Sequence, residues 1–258
     1  MLRFLFLLSL FMLTACAPRP KVVVPEIEPT EVLVQTLLER LAQHAEIAHS
    51  LEGFARVRIV HPERRLGANQ VLFVEKPDRL RSETLSPFGQ PVLLAATDGD
   101  MFSVYLPGDR SFYRGAATLH NIQRFVPIPL HVADLVHIVL YDPPVIAYTR
   151  TSLKIEPQRG YVLTLEAAAG VRQEMVFDGS LRLREANYYQ DASLHMTIRY
   201  DQFSEENSRD FPLTIEMRMP ELGTRATVDL RDIELNPSIP VERFSLTPPD
   251  GVPILPIP

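Results

Sequence analysis

Apolar side chains return along this chain with two different periods, and the switch between them marks its main division. After Thr30, the residues Val34, Leu37, Leu38, Leu41, Ala45 and Ala48 recur at helical spacing, with Gln35, Glu39, Arg40 and Gln43 on the other face. The pattern predicts one amphipathic helix over 31–51, capped by Thr30 and stopped before Gly53. From Gly53 the period becomes two. Ala55, Val57 and Ile59 alternate with Phe54, Arg56 and Arg58, as in a half-buried strand. A polar loop is expected over 61–69, then strands over 71–75, 80–85 and 92–97, with turns at 76–78 and 86–89. Asp98 and Gly99 signal a hairpin into a strand over 101–106, and 111–114 forms a short one. Thr118 to Val126 allows a helical turn or two before Pro127 and Pro129, and a second helix is expected over 130–140, stopped by Pro143 and Pro144.

The second half returns to alternation over 153–156, 161–167, 171–177 and 183–189, and most cleanly in the three runs that follow. Leu194, Met196 and Ile198 alternate with His195, Thr197 and Arg199. Leu213, Ile215 and Met217 alternate with Thr214, Glu216 and Arg218. Ala226, Val228 and Leu230 alternate with Thr227, Asp229 and Arg231. Strands in meander order with two amphipathic helices predict a mainly β (α+β) domain. Its form is a single curled antiparallel sheet, a half-open barrel of about 11–12 strands covered by the N-terminal helix and a shorter central one. The inward parity gathers Val57, Ile59, Val104, Leu163, Leu165, Met196, Ile198, Leu213, Ile215, Met217, Val228 and Leu230.

The ends of the chain read differently. Arg3 is followed by an apolar run over 4–13, broken only by Ser9, and then by Leu13, Thr14, Ala15 and Cys16, the one cysteine of 258 residues. A run so short is a signal-peptide core, since a membrane-spanning helix needs about 20 residues. Leu13 to Cys16 resembles the bacterial lipobox, which implies cleavage after residue 15 and acylation of Cys16 as a lipid anchor. Residues 17–30 hold Pro18, Pro20, Pro25 and Pro29, the composition of an extended, semi-rigid tether. The expected organisation is a signal over 1–15, a lipidated tether over 16–30, the folded domain over 31–247 and a proline-rich tail over 248–258, extended along the surface. The formal charge of −6 becomes one unit more negative once Arg3 leaves, which argues against nucleic acid and against general attraction to anionic lipid.

No catalytic signature stands out. There is no nucleophile elbow, no zinc-protease motif, no phosphate-cradling glycine loop, and no thiol besides Cys16. The histidines are scattered; His131 and His137, six apart, fall on different helix faces, so no metal pair is expected. Glu205 with Glu206, and Asp98 with Asp100, sit in turn-like settings as solvated charges. Neither enzyme activity nor cofactor nor metal is expected.

Two central stretches carry a resemblance. Arg79 to Gly89, a strand ending in Ser86, Pro87, Phe88 and Gly89, is similar to the strand and loop of the LolB-like outer-membrane lipoprotein receptors, where an apolar side chain protrudes from the turn. Val126 to Leu130, running into Leu135 and Ile138 to Leu140, resembles the same family's approach to its central helix, and Phe244 to Gly251 resembles the ending of the wider LolA/LolB-like superfamily. The chain departs from the pattern in its greater length, its lack of tryptophan, and extra residues around 204–209.

The resemblance implies a monomeric outer-membrane protein that takes acylated lipoproteins from a periplasmic LolA-like carrier. It would hold their acyl chains against the inward residues and use Pro87, Phe88 and Gly89 to assist transfer into the membrane. Ala17, rather than aspartate, after the cysteine favours the outer membrane. The same inward residues also suit a plain core beneath two helices. A sensor or scaffold of the same fold, and an envelope hydrolase, are the competing readings.

Overall fold

The computed structural model describes residues 30–204 and 210–257. The signal, Cys16, the tether up to residue 29 and the pair Glu205 and Glu206 lie outside the described residues. Helix α1 (Glu31–Ile47) is capped by Thr30, whose hydroxyl accepts from the Leu33 amide at 3.2 Å, and it buries Leu33, Leu37, Leu41 and His44 along one stripe. It stops four residues short of the expected end. Asn236, from the far end of the chain, accepts from the His49 amide and donates to the Ile47 carbonyl, so the backbone leaves the helix and enters a strand.

Among the described residues fourteen strands follow: β1 (Ser50–His61), β2 (Arg64–Glu75), β3 (Arg79–Leu85), β4 (Pro91–Thr97), β5 (Met101–Leu106), β6 (Ser111–Ala116), β7 (Arg150–Glu156), β8 (Gly160–Glu166), β9 (Val171–Phe177), β10 (Leu183–Gln190), β11 (Ser193–Ser204), β12 (Phe211–Met219), β13 (Thr224–Leu235) and β14 (Ile254–Pro256). Between β6 and β7 lie α2 (Leu119–Gln123) and α3 (Val132–Val139). All strands belong to one curled, unclosed sheet in the order β14-β6-β5-β4-β3-β2-β1-β13-β12-β11-β10-β9-β8-β7. The expected 11–12 is too low, because each alternating segment makes its own strand and the tail adds another.

Two local expectations are corrected. Residues 61–69 are no loop: Pro62 and Glu63 alone connect β1 to β2, and the register runs unbroken from Ser50↔Glu75 to His61↔Arg64. The residues of this extension are mostly exposed, so backbone pairing holds it where side-chain burial gives no signal. The central helix is shorter than 130–140, because Ile128 to Leu130 form a loop before His131 caps α3. The C-terminal segment crosses the outer face of the sheet, and its last residues lie extended along the surface. Phe244 and Ile239 pack on Phe73, Leu246 and Val252 pack on Ala96 and Phe112, and β14 then pairs parallel to the edge strand β6.

β1 sits at the middle of the sheet because it pairs with both β2 and β13. A register shift between Glu52 and Phe54 bends it there. Gly53 is required at that point, since a Cβ would come within 3.0 Å of the Asp232 carbonyl and of Ile233. The inner face carries the core, covered by α1 and α3, with α3 against β2 and β3 and α1 reaching β7. The outer face is polar and laced with ion pairs such as Arg58–Asp229 at 2.8 Å, Arg199–Glu185 at 2.7 Å and Arg172–Glu174. No described helix is long and apolar enough to cross a membrane.

Candidate functional site

Strand register decides which side chains share the inner face. Val57 lies opposite Val228, Ile59 opposite Ala226, Val228 opposite Ile215, and Met217 opposite Ile198. Leu230 faces Ala55, Val104 faces Ala95, Leu163 faces Met175 and Leu165 faces Gln173. All twelve residues assigned inward belong to this face or pack against its core, Met196 and Leu213 included. Their exposure shows how full the interior is. Val104, Leu163, Leu165, Ile198 and Ile215 have none, Ile59, Met217, Val228 and Leu230 are buried, and Val57, Met196 and Leu213 are half-buried. The sheet has brought them together, and the leucines of α1 with Val136 and Ile138 of α3 fill the space they enclose.

The cover is held by polar ties that sequence patterns do not announce. The segment after α3 crosses towards β7. There the Pro144 carbonyl accepts from Gln173 Nε2 at 2.9 Å and from the Tyr188 hydroxyl at 2.7 Å, while the Ile146 amide donates to Gln173 Oε1. Gln173 lies on the inner face and is wholly buried, and these bonds satisfy its amide. At the C-terminal ends of both helices, Lys76 Nζ donates to the Ala45 carbonyl at 2.6 Å and pairs with Asp142 at 2.8 Å. His137 Nδ1 meets the same carboxylate at 2.7 Å. Lys76 thus latches the β2–β3 turn to α1 and to Asp142 in the segment after α3.

Between α1 and this crossing segment lies a mainly apolar hollow of about 300 Å³, lined by Leu38, Leu41, His44, Tyr141, Val145 and Tyr148 among others. None of the twelve inward residues lines it. His44 stacks on Tyr141 with ring centres 4.5 Å apart, and its Nδ1 has no hydrogen-bond partner. Burial, aided by the charge of Arg40, holds its pKa down at about 4, so the ring is neutral near pH 7. Tyr141 meets Tyr200, Phe203 and Phe211 edge-on and donates to the Leu183 carbonyl; Tyr200 donates to the Ile138 carbonyl. Burial pushes both phenols well above their ordinary range, so they act as neutral donors that fix the cover. His131 and His137 stay apart in function, the first an N-cap without a side-chain bond and the second a partner of Asp142. Among the described residues no cluster of three or more His, Cys, Asp or Glu could hold a metal.

The β3–β4 turn presents the other feature. The Gly89 amide donates to the Ser86 carbonyl at 2.9 Å, the Ser86 amide to the Gln90 carbonyl at 2.8 Å, and the Ser86 hydroxyl accepts from Phe88 and Gln90. Gly89 supplies the positive φ of +80° that closes so tight a loop. With Ser86 occupied in bonding the backbone, the Phe88 ring has nothing to fold onto and is 90 % exposed, more than any other large apolar side chain described.

The sequence matches no protein-family model and no curated protein. Solved structures do share its fold. A LolA superfamily protein of Nitrosomonas europaea is 16% identical over 83% of this chain and 97% of its own, with a TM-score of 0.53. A DUF1329 family protein of Desulfovibrio piger is 14% identical over 83% and 96%, with a TM-score of 0.54. A domain assigned to outer-membrane lipoprotein sorting in Vibrio parahaemolyticus is 13% identical over 81% and 94%, with a TM-score of 0.53. The chain therefore has the curled-sheet fold of LolA superfamily proteins. At these identities the likeness is one of fold, and it stops short of the LolB receptors in particular.

Proposed function

We propose that this protein is a lipid-anchored component of the bacterial envelope that receives the acyl chains of lipoproteins under its α1–α3 cover and passes them into the outer membrane, without covalent chemistry or cofactor. The observation that carries the reading is Phe88, a bare aromatic ring held out from a rigid turn of a lipoprotein-sorting fold. An exposed phenylalanine withdraws from water into lipid with a gain of about 1.5–3 kcal/mol, whereas a soluble protein gains nothing from displaying it. The inner face supplies apolar lining, including Met196 and Met217, which adapt to varied shapes. Cys16 anchors the chain, the proline tether gives it reach, and a LolA-like carrier delivers the cargo to the monomer. Phe88→Glu leaves folding and acyl binding intact and impairs insertion of cargo into liposomes; equal insertion by variant and parent would remove Phe88 from the mechanism.

The near-complete burial of the inner face favours a second reading, a sensor or scaffold of the same fold that carries no cargo. Mass spectrometry of ligands extracted from protein purified without detergent separates the two. Bound acyl chains support transfer, and an empty interior with a stoichiometric protein partner supports the scaffold.

A further inference from the structure

The end of the sheet that bears Phe88 carries a second, independent feature. β1 and β3 run in the same direction, so the turns that follow them lie at one end, and the turn before the oppositely directed β13 lies there too. The β1–β2 and β12–β13 tips touch, because a Cβ on Gly223 would come within 3.0 Å of the Pro62 ring. Leu66 lies three residues past Asn69 towards the tip, and Asn69 is the partner of Leu85, so the Phe88 turn stands beside it. Val60, Leu66, Leu222 and Phe88 are all exposed here.

Arg64 and Arg65 stand at the same tip, Arg65 opposite Val60 in register and Arg64 opposite His61, next to Leu66 in sequence. Most cations of the outer face are matched, as in Arg58–Asp229, Arg184–Asp201 and Arg225–Glu216. Arg64 and Arg65 are exposed and have no ion-pair partner among the described residues. Of the acids nearby, Glu221 pairs with His195, and Glu63 in the turn forms no ion pair with either arginine, so two cations face one acid at this tip. An unmatched guanidinium pair beside bare aliphatic side chains is the composition of an interfacial membrane contact. Guanidinium forks engage phosphate oxygens while the neighbouring apolar groups enter the headgroup boundary.

We propose that this end of the sheet is a docking edge for an anionic phospholipid surface, with Arg64 and Arg65 on lipid phosphates and Leu66, Val60, Leu222 and Phe88 at the interface. The chain as a whole carries a net charge of −6 and is repelled by such a surface, so the unmatched cations orient it. Each guanidinium near an anionic leaflet favours docking about fivefold, so the pair is worth about 30-fold. The edge deepens the transfer reading by fixing which end meets the bilayer, yet it stands on charge and exposure alone.

The chain lacks tryptophan, which makes an introduced one a unique reporter. The full chain with Leu66→Trp or Leu222→Trp is reconstituted in vesicles of phosphatidylglycerol and phosphatidylcholine containing brominated lipid. Met101→Trp, at the start of β5 and hence the opposite end, serves as the control. The tip variants shift to the blue and are quenched while the Met101 variant is not, and pure phosphatidylcholine or high salt removes the difference. Adding Arg64→Gln and Arg65→Gln lowers the docked-to-undocked ratio about 30-fold, with circular dichroism confirming an unchanged fold. Equal quenching at both ends, no quenching in any vesicle, or quenching indifferent to the two arginines would overturn the docking edge. Acyl chains found in the same preparation would leave the transfer reading standing in that event.

Discussion

His44 makes the cover of this protein sensitive to acid, and the size of the effect follows from its surroundings. The ring is buried between α1 and Tyr141, and its pKa lies at about 4 against an ordinary 6.5, chiefly through burial and secondarily through Arg40, with Asp210 and Asp142 pulling weakly the other way. The unfolded chain therefore binds a proton near pH 6.5 that the folded chain refuses until about pH 4, so stability is full above 6.5 and falls as pH drops through that window. At 1.36 kcal/mol per pKa unit the loss is about 2 kcal/mol at pH 5 and about 3 kcal/mol at pH 4. His44→Phe keeps a ring on Tyr141, removes the unpartnered Nδ1 and abolishes this contribution. Urea denaturation of parent and variant at pH 7.5 and pH 4.5 isolates it, because every other titrating group is common to both. The variant gains about 2–3 kcal/mol on the parent between the two pH values. A difference flat to within about 0.5 kcal/mol would show that the ring is not held neutral in the folded protein.

Two further changes probe the cover and the strap. Lys76→Met leaves Asp142 with His137 as its remaining side-chain partner and frees the Ala45 carbonyl; it lowers unfolding free energy by about 1–3 kcal/mol and speeds amide exchange at the C-terminal turn of α1. Phe244→Ala empties the contact between the C-terminal segment and Phe73, costing about 3–5 kcal/mol in denaturant titrations, while the inner-face core is untouched.

The strands and the inner face were legible because alternation records burial directly. Val228 and Leu230 point inward for the same reason that Asp229 points out. Leu37 and Leu41 of the α1 stripe were legible, although Leu33 and His44, which complete it, were not assigned to it; the display of Phe88 was legible too, since a ring between proline and glycine in a tight turn has little to pack on. What stayed hidden depends on partners distant in sequence. Helix α1 ends at Ile47 because of Asn236, the β1–β2 extension exists because β1 supplies its hydrogen bonds, and β14 forms because β6 offers a free edge. Gln173 and Lys76 gave no signal at all. Their roles come from meeting Pro144 and Asp142 across the fold, and neither residue type in its local context suggests a tie.

The distribution of those ties says how the cover behaves on the transfer reading. α1 is fixed at its C-terminal end by Asn236 and Lys76, whereas Thr30 at the other end caps only its own helix. Between them the helix is held mainly by Leu33, Leu37 and Leu41. Returning those three leucines to water costs about 5–9 kcal/mol. A 16-carbon acyl chain is worth about 12 kcal/mol of burial relative to water at about 0.8 kcal/mol per CH₂, but a carrier or a bilayer shelters it to the same degree. On this reading the cover is closed over its own side chains, and the helix turns about its anchored end only as the acyl chain takes their place against the inner face. With carrier, cavity and bilayer all burying the chain, its transfer is close to balanced in apolar burial, and that suits a protein whose task on this reading is to give the chain up again at the bilayer.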